Sequence, residues 1–388
     1  MAIKLKKYLF LFFSVIFLLG CGNDTKTVTS TGGSITEFSN KYNVIVDTIN
    51  GSLTKLKFVY SLEGNPYIFS LEDDTSLTLY FWKEGWNRKN LLSGVTVTNF
   101  QPMISSGKII IFYTFISGDV NRFGKIVYNI VNDELKIESL NFATNPRYFS
   151  VINNAGIISV FYVENDVMQL IEADFVDEQW YVDVIDNGKT SGLKGTFYYL
   201  PSVTVQADKK TVLYFDTSNP SLRLATLGLG GWERQKLPLT SDIVPAPEFN
   251  VKINSWGGTD TVFQNSLTGD LYYAIYATGW TIAPIVKSRN YTGYSPRIFY
   301  FGNKMVVFYY NLSFNDIRVS VKTHPFFNSV GEYTTEWKEY QLPIGGKINI
   351  NYSLSKLPNA NDRFGLSFYD DETERIYFRE FSLNGVVR

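Results

Sequence analysis

The chain of 388 residues contains one cysteine, Cys21, and one histidine, His324. A lone cysteine excludes an internal disulfide. The scarcity of both residue types excludes Cys/His metal clusters and Cys–His catalytic pairs. There is no excess of either charge, with 36 Lys and Arg against 37 Asp and Glu and no basic run, so electrostatics give no case for a nucleic-acid partner. Beyond the N-terminus no segment repeats apolar residues at i, i+3, i+4 and i+7, which leaves almost no helix. The longest apolar run, Tyr8 to Leu19, has 12 residues, short of the ~20 that span a bilayer as a helix. The "GLGGW" stretch lacks the spacing of a phosphate loop and precedes a strand pattern, not a helix.

What is present begins with "MAIKLKKYLFLFFSVIFLLGCGND". Lys4, Lys6 and Lys7 ahead of the apolar run, with Gly20 before Cys21, form an export signal over 1–20. Leu18, Leu19, Gly20 and Cys21 resemble the lipobox of bacterial lipoproteins. That resemblance implies a diacylglycerol on the Cys21 thiol, cleavage before it and an acylated amine, two or more chains being needed for stable anchoring. It also implies a cell-envelope location. Gly22 in place of Asp agrees with the outer membrane if the cell is Gram-negative. From 21 to 40 the composition turns to Gly, Ser, Thr, Asn and Asp, too poor in large apolar groups to fold alone, and reads as a flexible tether. Residues 41–388 remain for the folded domain.

That remainder is rich in Val, Ile, Thr, Tyr and Phe, in short runs divided by Asn, Asp, Gly and Ser, the signature of strands and hairpins. Four stretches share one shape: an aromatic in a first run, a polar turn, a second run and a tryptophan. The separations are 17 residues for Phe69 to Trp86, 19 for Phe161 to Trp180, 18 for Tyr214 to Trp232 and 17 for Phe263 to Trp280. Weaker copies begin at Phe112, at Phe308 with an insertion before Trp337, and at Phe368. A second marker runs in phase, because Pro102, Pro146, Pro201, Pro247 and Pro296 each sit before or at the start of an alternating run, where a strand tolerates proline. Four strands per repeat of roughly fifty residues, seven times over, is the arithmetic of an all-β, seven-bladed β-propeller; six or eight blades follow if a weak copy is miscounted. The last repeat lacks a fourth strand. "KYNVIVDTI", Lys41 to Ile49, is expected to supply it and close the ring, with Leu383 to Arg388 as the competitor.

The repeat "PSVTVQADKKTVLYFDTSNPSLRLATLGLGGWERQKL" resembles those of sialidase-like propellers. In that family an Asp box, Ser-x-Asp-x-Gly-x-Thr-Trp, precedes the fourth strand. Here the corresponding turns read "WKEGW", "VDEQW", "GLGGW" and "YATGW", keeping the tryptophan and losing the box. The resemblance implies the architecture and leaves catalysis without its marker.

In such a fold the turns between strands 2 and 3 share a face with the blade-to-blade links. Those turns carry Asp73, Asp74, Asp119, Asp166, Asp216, Asp270, Asp316, Asp370 and Asp371. These carboxylates suit Ca²⁺ or a cationic ligand weakly and turn formation better, because Asp bonds its own backbone there; no cofactor is otherwise implied. The residues after the prolines, Met103, Arg147, Ser202, Glu248 and Arg297, are expected near the channel mouth. Arg147 and Arg297 would suit a carboxylate or sulfate, with Glu248 as an alternative structural partner for either. The repeated tryptophans are expected between blades, so Trp82 and Trp256, outside the repeat position, are the candidates for an exposed contact. His324 is expected on the opposite face. The leading expectation is a membrane-anchored, monomeric, non-catalytic binding or scaffold module for a glycan or an envelope protein. The alternative is a sialidase-like glycoside hydrolase or lyase, since two carboxylates suffice for such chemistry and no pair is singled out.

Overall fold

The computed structural model describes residues 35–388 except 39–41, 43, 50, 188–197, 208, 218–219, 277–278, 288–291, 323–325, 328–332, 335–336, 345–347, 385 and 387–388. The export signal, Cys21 and most of the tether lie outside the described residues, as does His324. Among the described residues there is no helix. The strands form seven four-stranded antiparallel blades arranged as a β-propeller.

Blade 4 shows the pattern. Its strands are Tyr198–Gln206, Lys209–Asp216, Ser221–Gly228 and Gly231–Lys236, each paired with the next. The second strand reads "KKTVLYFD", with every residue from Thr211 to Asp216 buried. Unbroken burial means that both faces of the strand are covered, one by each flanking blade. The seven aromatic anchors, Phe69, Phe112, Phe161, Tyr214, Phe263, Phe308 and Phe368, occupy this second strand in blades 1 to 7 and are all buried.

The tryptophans open the fourth strands and reach across to the preceding blade. Trp86 meets Phe378 of blade 7, Trp180 meets Phe112 of blade 2, and Trp337 meets Tyr273 of blade 5, edge to face at centroid distances of 5.8, 6.2 and 5.7 Å. The insertion before Trp337 is a separate two-stranded hairpin, Phe326–Phe327 with Tyr333–Thr334.

Closure uses the N-terminal segment. Ile45–Thr48 pairs with the third strand of blade 7, Arg375–Ser382, and Thr36–Phe38 extends the same edge by pairing Thr36 with Ser382. Among the described residues, pairing thus starts inside the stretch whose composition reads as tether, where Ile35 packs in the core between blades 6 and 7 and Glu37 pairs with Arg379. Among the described residues after that strand none pairs in the sheet; Leu383 and Val386 instead pack in the core between blades 6 and 7.

The prolines differ from expectation. Pro146 is the first residue of its inner strand, Pro146–Asn154, but Pro201, Pro247 and Pro296 lie within theirs, where the register slips between Tyr199 and Ser202, Pro245 and Phe249, and Tyr294 and Arg297. A bulge leaves a residue unpaired, so it accepts a side chain without an N–H. Pro102 is the exception, the sixth residue of Val97–Ser105 and in regular register with Ile111. Residues after the prolines therefore sit at different depths, not in one ring at the mouth.

Candidate ligand site at the channel mouth

Two faces follow from the connections. The upper one carries the turns between strands 2 and 3 and the links from blade to blade. The lower one carries the turns between strands 1 and 2 and between strands 3 and 4. On the upper face a cavity of about 780 Å³ opens among blades 1, 2, 3, 6 and 7. Its cations are Lys55 and Lys57 from blade 1, Arg147 from blade 3 and Arg297 from blade 6; among the described residues Asp119 is the one carboxylate that lines it. Below it a second cavity of about 340 Å³ shares Lys57, Asn99 and Arg297 and adds Ser202 and Glu248.

The inner strand of blade 1, Leu53–Tyr60, explains the two lysines. Leu56, Phe58 and Tyr60 are buried in the blade, so period-two alternation turns Lys55, Lys57 and Val59 the other way, toward the channel. Lys55 Nζ donates to the Thr98 carbonyl and, at 3.3 Å, to Asn99 Oδ1. Lys57 is pushed down to about 8, first by burial and then by the charges of Arg297 and Lys55. Lys252, on the inner strand of blade 5, is lowered by burial and by Arg297. Positive charge is thus concentrated along the channel. The ion pairs of the described residues lie elsewhere, as in Arg88–Glu72, Lys210–Glu172, Arg223–Asp216 and Arg318–Asp316.

Glu248 lines the lower cavity with Arg297, but its hydrogen bonds go to Ser295 and not to either arginine. Its Oε2 accepts from the Ser295 backbone N–H at 3.1 Å and the Ser295 hydroxyl at 3.2 Å. Ser295 sits in the blade 6 bulge with φ of 46°, a left-handed conformation that costs a side-chain-bearing residue energy, and Glu248 offsets that cost. The Ser295 carbonyl accepts the Tyr352 hydroxyl at 2.8 Å. Burial raises the Tyr352 hydroxyl well above its ordinary value. Arg297 Nη1 donates to the Pro296 carbonyl at 3.0 Å, which fixes the guanidinium and leaves other N–H groups of its fork for a ligand.

The structure therefore brings Arg147 and Arg297 into one cavity, as expected, and places Ser202 and Glu248 in the cavity beneath. Ser202 Oγ accepts from Asn250 Nδ2 and from the Val251 N–H, at 3.1 and 3.2 Å, a structural link between blades 4 and 5. Met103 packs against the core between blades 2 and 3 and lines neither cavity. Trp82 corrects the sequence reading: it is half-buried at the end of its strand, edge-on to Tyr42 at 5.4 Å and Trp86 at 5.6 Å. Trp256 is 85% exposed, but on a lower-face turn, across the molecule from the cavity. Lys55, Lys57 and Tyr352 were missed because blades 1 and 7 lack the proline marker. Counting back from Phe69 to "TKLKF" would have found the lysines.

The turn carboxylates are largely engaged. Asp73 accepts from the Ser52 N–H at 2.9 Å, Asp166 from Asn145 Nδ2 at 2.7 Å and Asp371 from Asn349 Nδ2, each fastening a turn to a neighbouring link. Among the described residues no three His, Cys, Asp or Glu side chains gather as metal ligands.

A scan against protein-family models finds no match for this chain, and a search of curated proteins finds none either. Solved structures are similar in shape. The WD40 domain of Toxoplasma gondii coronin is 9% identical with a TM-score of 0.52, over 91% of this chain and 87% of that one. A leech intramolecular trans-sialidase is 11% identical with a TM-score of 0.49, over 93% and 71%. AofleA from Arthrobotrys oligospora is 15% identical with a TM-score of 0.45, over 90% and 86%. The coronin likeness carries the comparison, and at its identity it shows the fold alone: this chain is a β-propeller.

Proposed function

We propose that the protein is a non-catalytic recognition module that holds an anionic ligand, foremost an acidic glycan, in the channel mouth. The observation that carries this reading is the cavity's charge: Lys55, Lys57, Arg147 and Arg297 against Asp119. An anion placed among them offsets the burial and the mutual repulsion that depress Lys57 and gains charge-assisted hydrogen bonds. A glycan is favoured over a bare anion because the rest of the wall is rich in amides and hydroxyls, including Thr98, Asn99, Asn121, Tyr148, Asn351 and Tyr352. The volume is also that of a small-ligand site, ~300–1,000 Å³. We extend the proposal to location: Cys21 is acylated and holds the propeller at a membrane of the cell envelope. A glycan array probed with the acylated protein and its Arg147→Ala and Arg297→Ala variants tests the site. Retention of acidic glycans by the parent and loss by both variants is expected; binding indifferent to both substitutions refutes it.

A hydrolase reading has one observation in its favour, since both arginines, Tyr352 and Asp119 line one cavity with Glu248 just below. Against it, the Tyr352 hydroxyl donates its hydrogen bond to the Ser295 carbonyl and Glu248 accepts from Ser295, so no carboxylate is hydrogen-bonded to the tyrosine to act as its base. Release of fluorophore from an aryl sialoside, lost in Tyr352→Phe, would establish the enzyme; absence of release supports the binder.

A further inference from the structure

Lys57 stands on a rigid support. Its strand, Leu53–Tyr60, pairs with Pro66–Glu72 so that Lys57 lies opposite the buried anchor Phe69, and the next N–H, that of Phe58, donates to Ser353 Oγ of blade 7 at 3.0 Å. Strand alternation then turns the lysine into the channel, where it lines both cavities. Polar side chains of the neighbouring inner strands are engaged in joining blade to blade. Gln101 of blade 2 donates to and accepts from the Val151 backbone of blade 3, each at 3.0 Å, and Asn250 Oδ1 of blade 5 accepts from the Ile298 N–H of blade 6 at 2.9 Å. Lys55 directs its ammonium to Thr98 and Asn99. Lys57 differs: among the described residues its Nζ makes no hydrogen bond and no ion pair. Lys252 also lacks a hydrogen bond, but it lines neither cavity.

An unpartnered primary amine in a cavity, with two guanidinium groups in the same wall to grip a carboxylate, has the makeup of a nucleophile for a carbonyl carried by an anion. Lys57 shares the two cavities with Lys55, Arg147 and Arg297 against Asp119 and Glu248, together with the Tyr352 hydroxyl. Burial, then the charges of Arg297 and Lys55, hold it down to about 8. Roughly a tenth is therefore free amine at neutral pH, against less than about a thousandth at the ~10.4 of an ordinary lysine. The remaining ammonium serves the anion, and the free fraction serves the carbonyl.

We propose that Lys57 captures the aldehyde or ketone of an acid held by Arg147 and Arg297, such as the open-chain reducing end of a sugar acid, as an imine. This rests on the anion site proposed above, because the arginines position the carbonyl and convert an encounter between two molecules into a reaction within one complex. The Nζ lone pair forms the N–C bond while the carbonyl π pair moves onto oxygen. Two protons from nitrogen then leave with that oxygen as water. Amine and carbonyl thus balance imine and water, with no oxidant or reductant.

The experiment treats the whole protein at neutral pH with glyoxylate, an acid that carries an aldehyde, or with the neutral propionaldehyde, each with cyanoborohydride to reduce any imine to a stable amine. Peptide mass mapping then gives the labelling rate at each lysine. Glyoxylate is expected to label Lys57 about a hundredfold faster than the exposed Lys83 and Lys108. The preference for Lys57 is expected to be about tenfold smaller with propionaldehyde, or with glyoxylate on Arg147→Ala. Lys57 labelled no faster than Lys83 and Lys108, in a protein that still binds an acidic glycan by calorimetry, overturns the capture and leaves the anion site standing. Equal preference for Lys57 with both aldehydes overturns the anion site and the ligand class, and leaves the amine as a nucleophile. The map is read first in the parent protein, so it does not depend on the folding of any variant.

Discussion

Trp232, near the start of the fourth strand of blade 4, meets Phe161 of blade 3 edge-on, with ring centroids 6.4 Å apart and planes at 90°. The indole is 8% exposed and shares a core cluster with Val212, Tyr214 and Leu170. Its counterparts in blades 1, 3 and 6 make the same kind of contact, so the repeated tryptophan joins one blade to the one before. Trp232→Ala removes a large buried ring and leaves a cavity, which costs ~3–5 kcal/mol. Chemical denaturation is expected to show that loss with ligand affinity unchanged, because the indole lies outside both channel cavities.

Trp82 and Trp256 make a matched pair. Trp82→Ala strips a ring from the cluster that holds Tyr42, Trp86 and Phe378 together at the closure and is expected to lower the thermal midpoint by several degrees. Trp256→Ala touches an exposed turn tip and is expected to change stability by less than about 0.5 kcal/mol. Parallel melting curves of the two variants decide the matter.

The N-terminal strand protects an edge. Without residues up to Ile49, Arg375–Ser382 presents unpaired backbone groups, and Phe378 and Ile376 lose Tyr42, Val46 and Ile49 from their cluster. Exposed edges of this kind recruit other chains. Deleting residues 22–49 is expected to give a less stable, self-associating protein, as read by light scattering; a monomer of parental stability would show that closure lies elsewhere.

Lys57 sets a pH dependence with a definite sign. It shares the channel cavities with Lys55 on its own strand, Arg297 from blade 6, Glu248 from blade 5 and Tyr352 from blade 7. Its native pKa is held down to about 8, below the ~10.4 of an unfolded chain. Between these values the unfolded state binds more protons, so the Lys57 contribution stabilises the free protein as pH rises and is lost as pH falls through about 8. Anion binding runs the other way, because it needs the ammonium. Affinity for an acidic glycan is expected to fall about tenfold from pH 7 to pH 9, and Lys57→Met is expected to flatten both profiles.

Much of the architecture is legible in the residues themselves. Anchor-to-tryptophan spacing reports four strands per repeat because a buried aromatic and an interblade indole must recur in register, and the missing fourth strand of blade 7 points to Lys41–Ile49, within which Ile45–Thr48 pairs. The site is less legible. A proline marks a bulge, but its depth in the strand depends on pairing: Pro102 is sixth in its strand and Pro146 first, so a ring drawn through the next residues mixes Met103 in the core with Arg147 at the mouth. Trp82 looks unpaired in the repeat because Tyr42, which covers it, comes from the far end of the sequence. Lys57 looks like any surface lysine until the ring of blades brings Arg297 beside it.

The central claim, an anion held at the channel mouth, is tested most directly by calorimetric titration of the protein with a carboxylated or sulfated glycan and its neutral parent, at low and high salt. Binding of the acidic glycan alone is expected, weakened by salt and cut about tenfold or more by Arg297→Ala, as befits a lost charge-assisted hydrogen bond of ~1.5–3 kcal/mol. Equal binding of the neutral glycan, or an affinity untouched by salt and by that substitution, would contradict it.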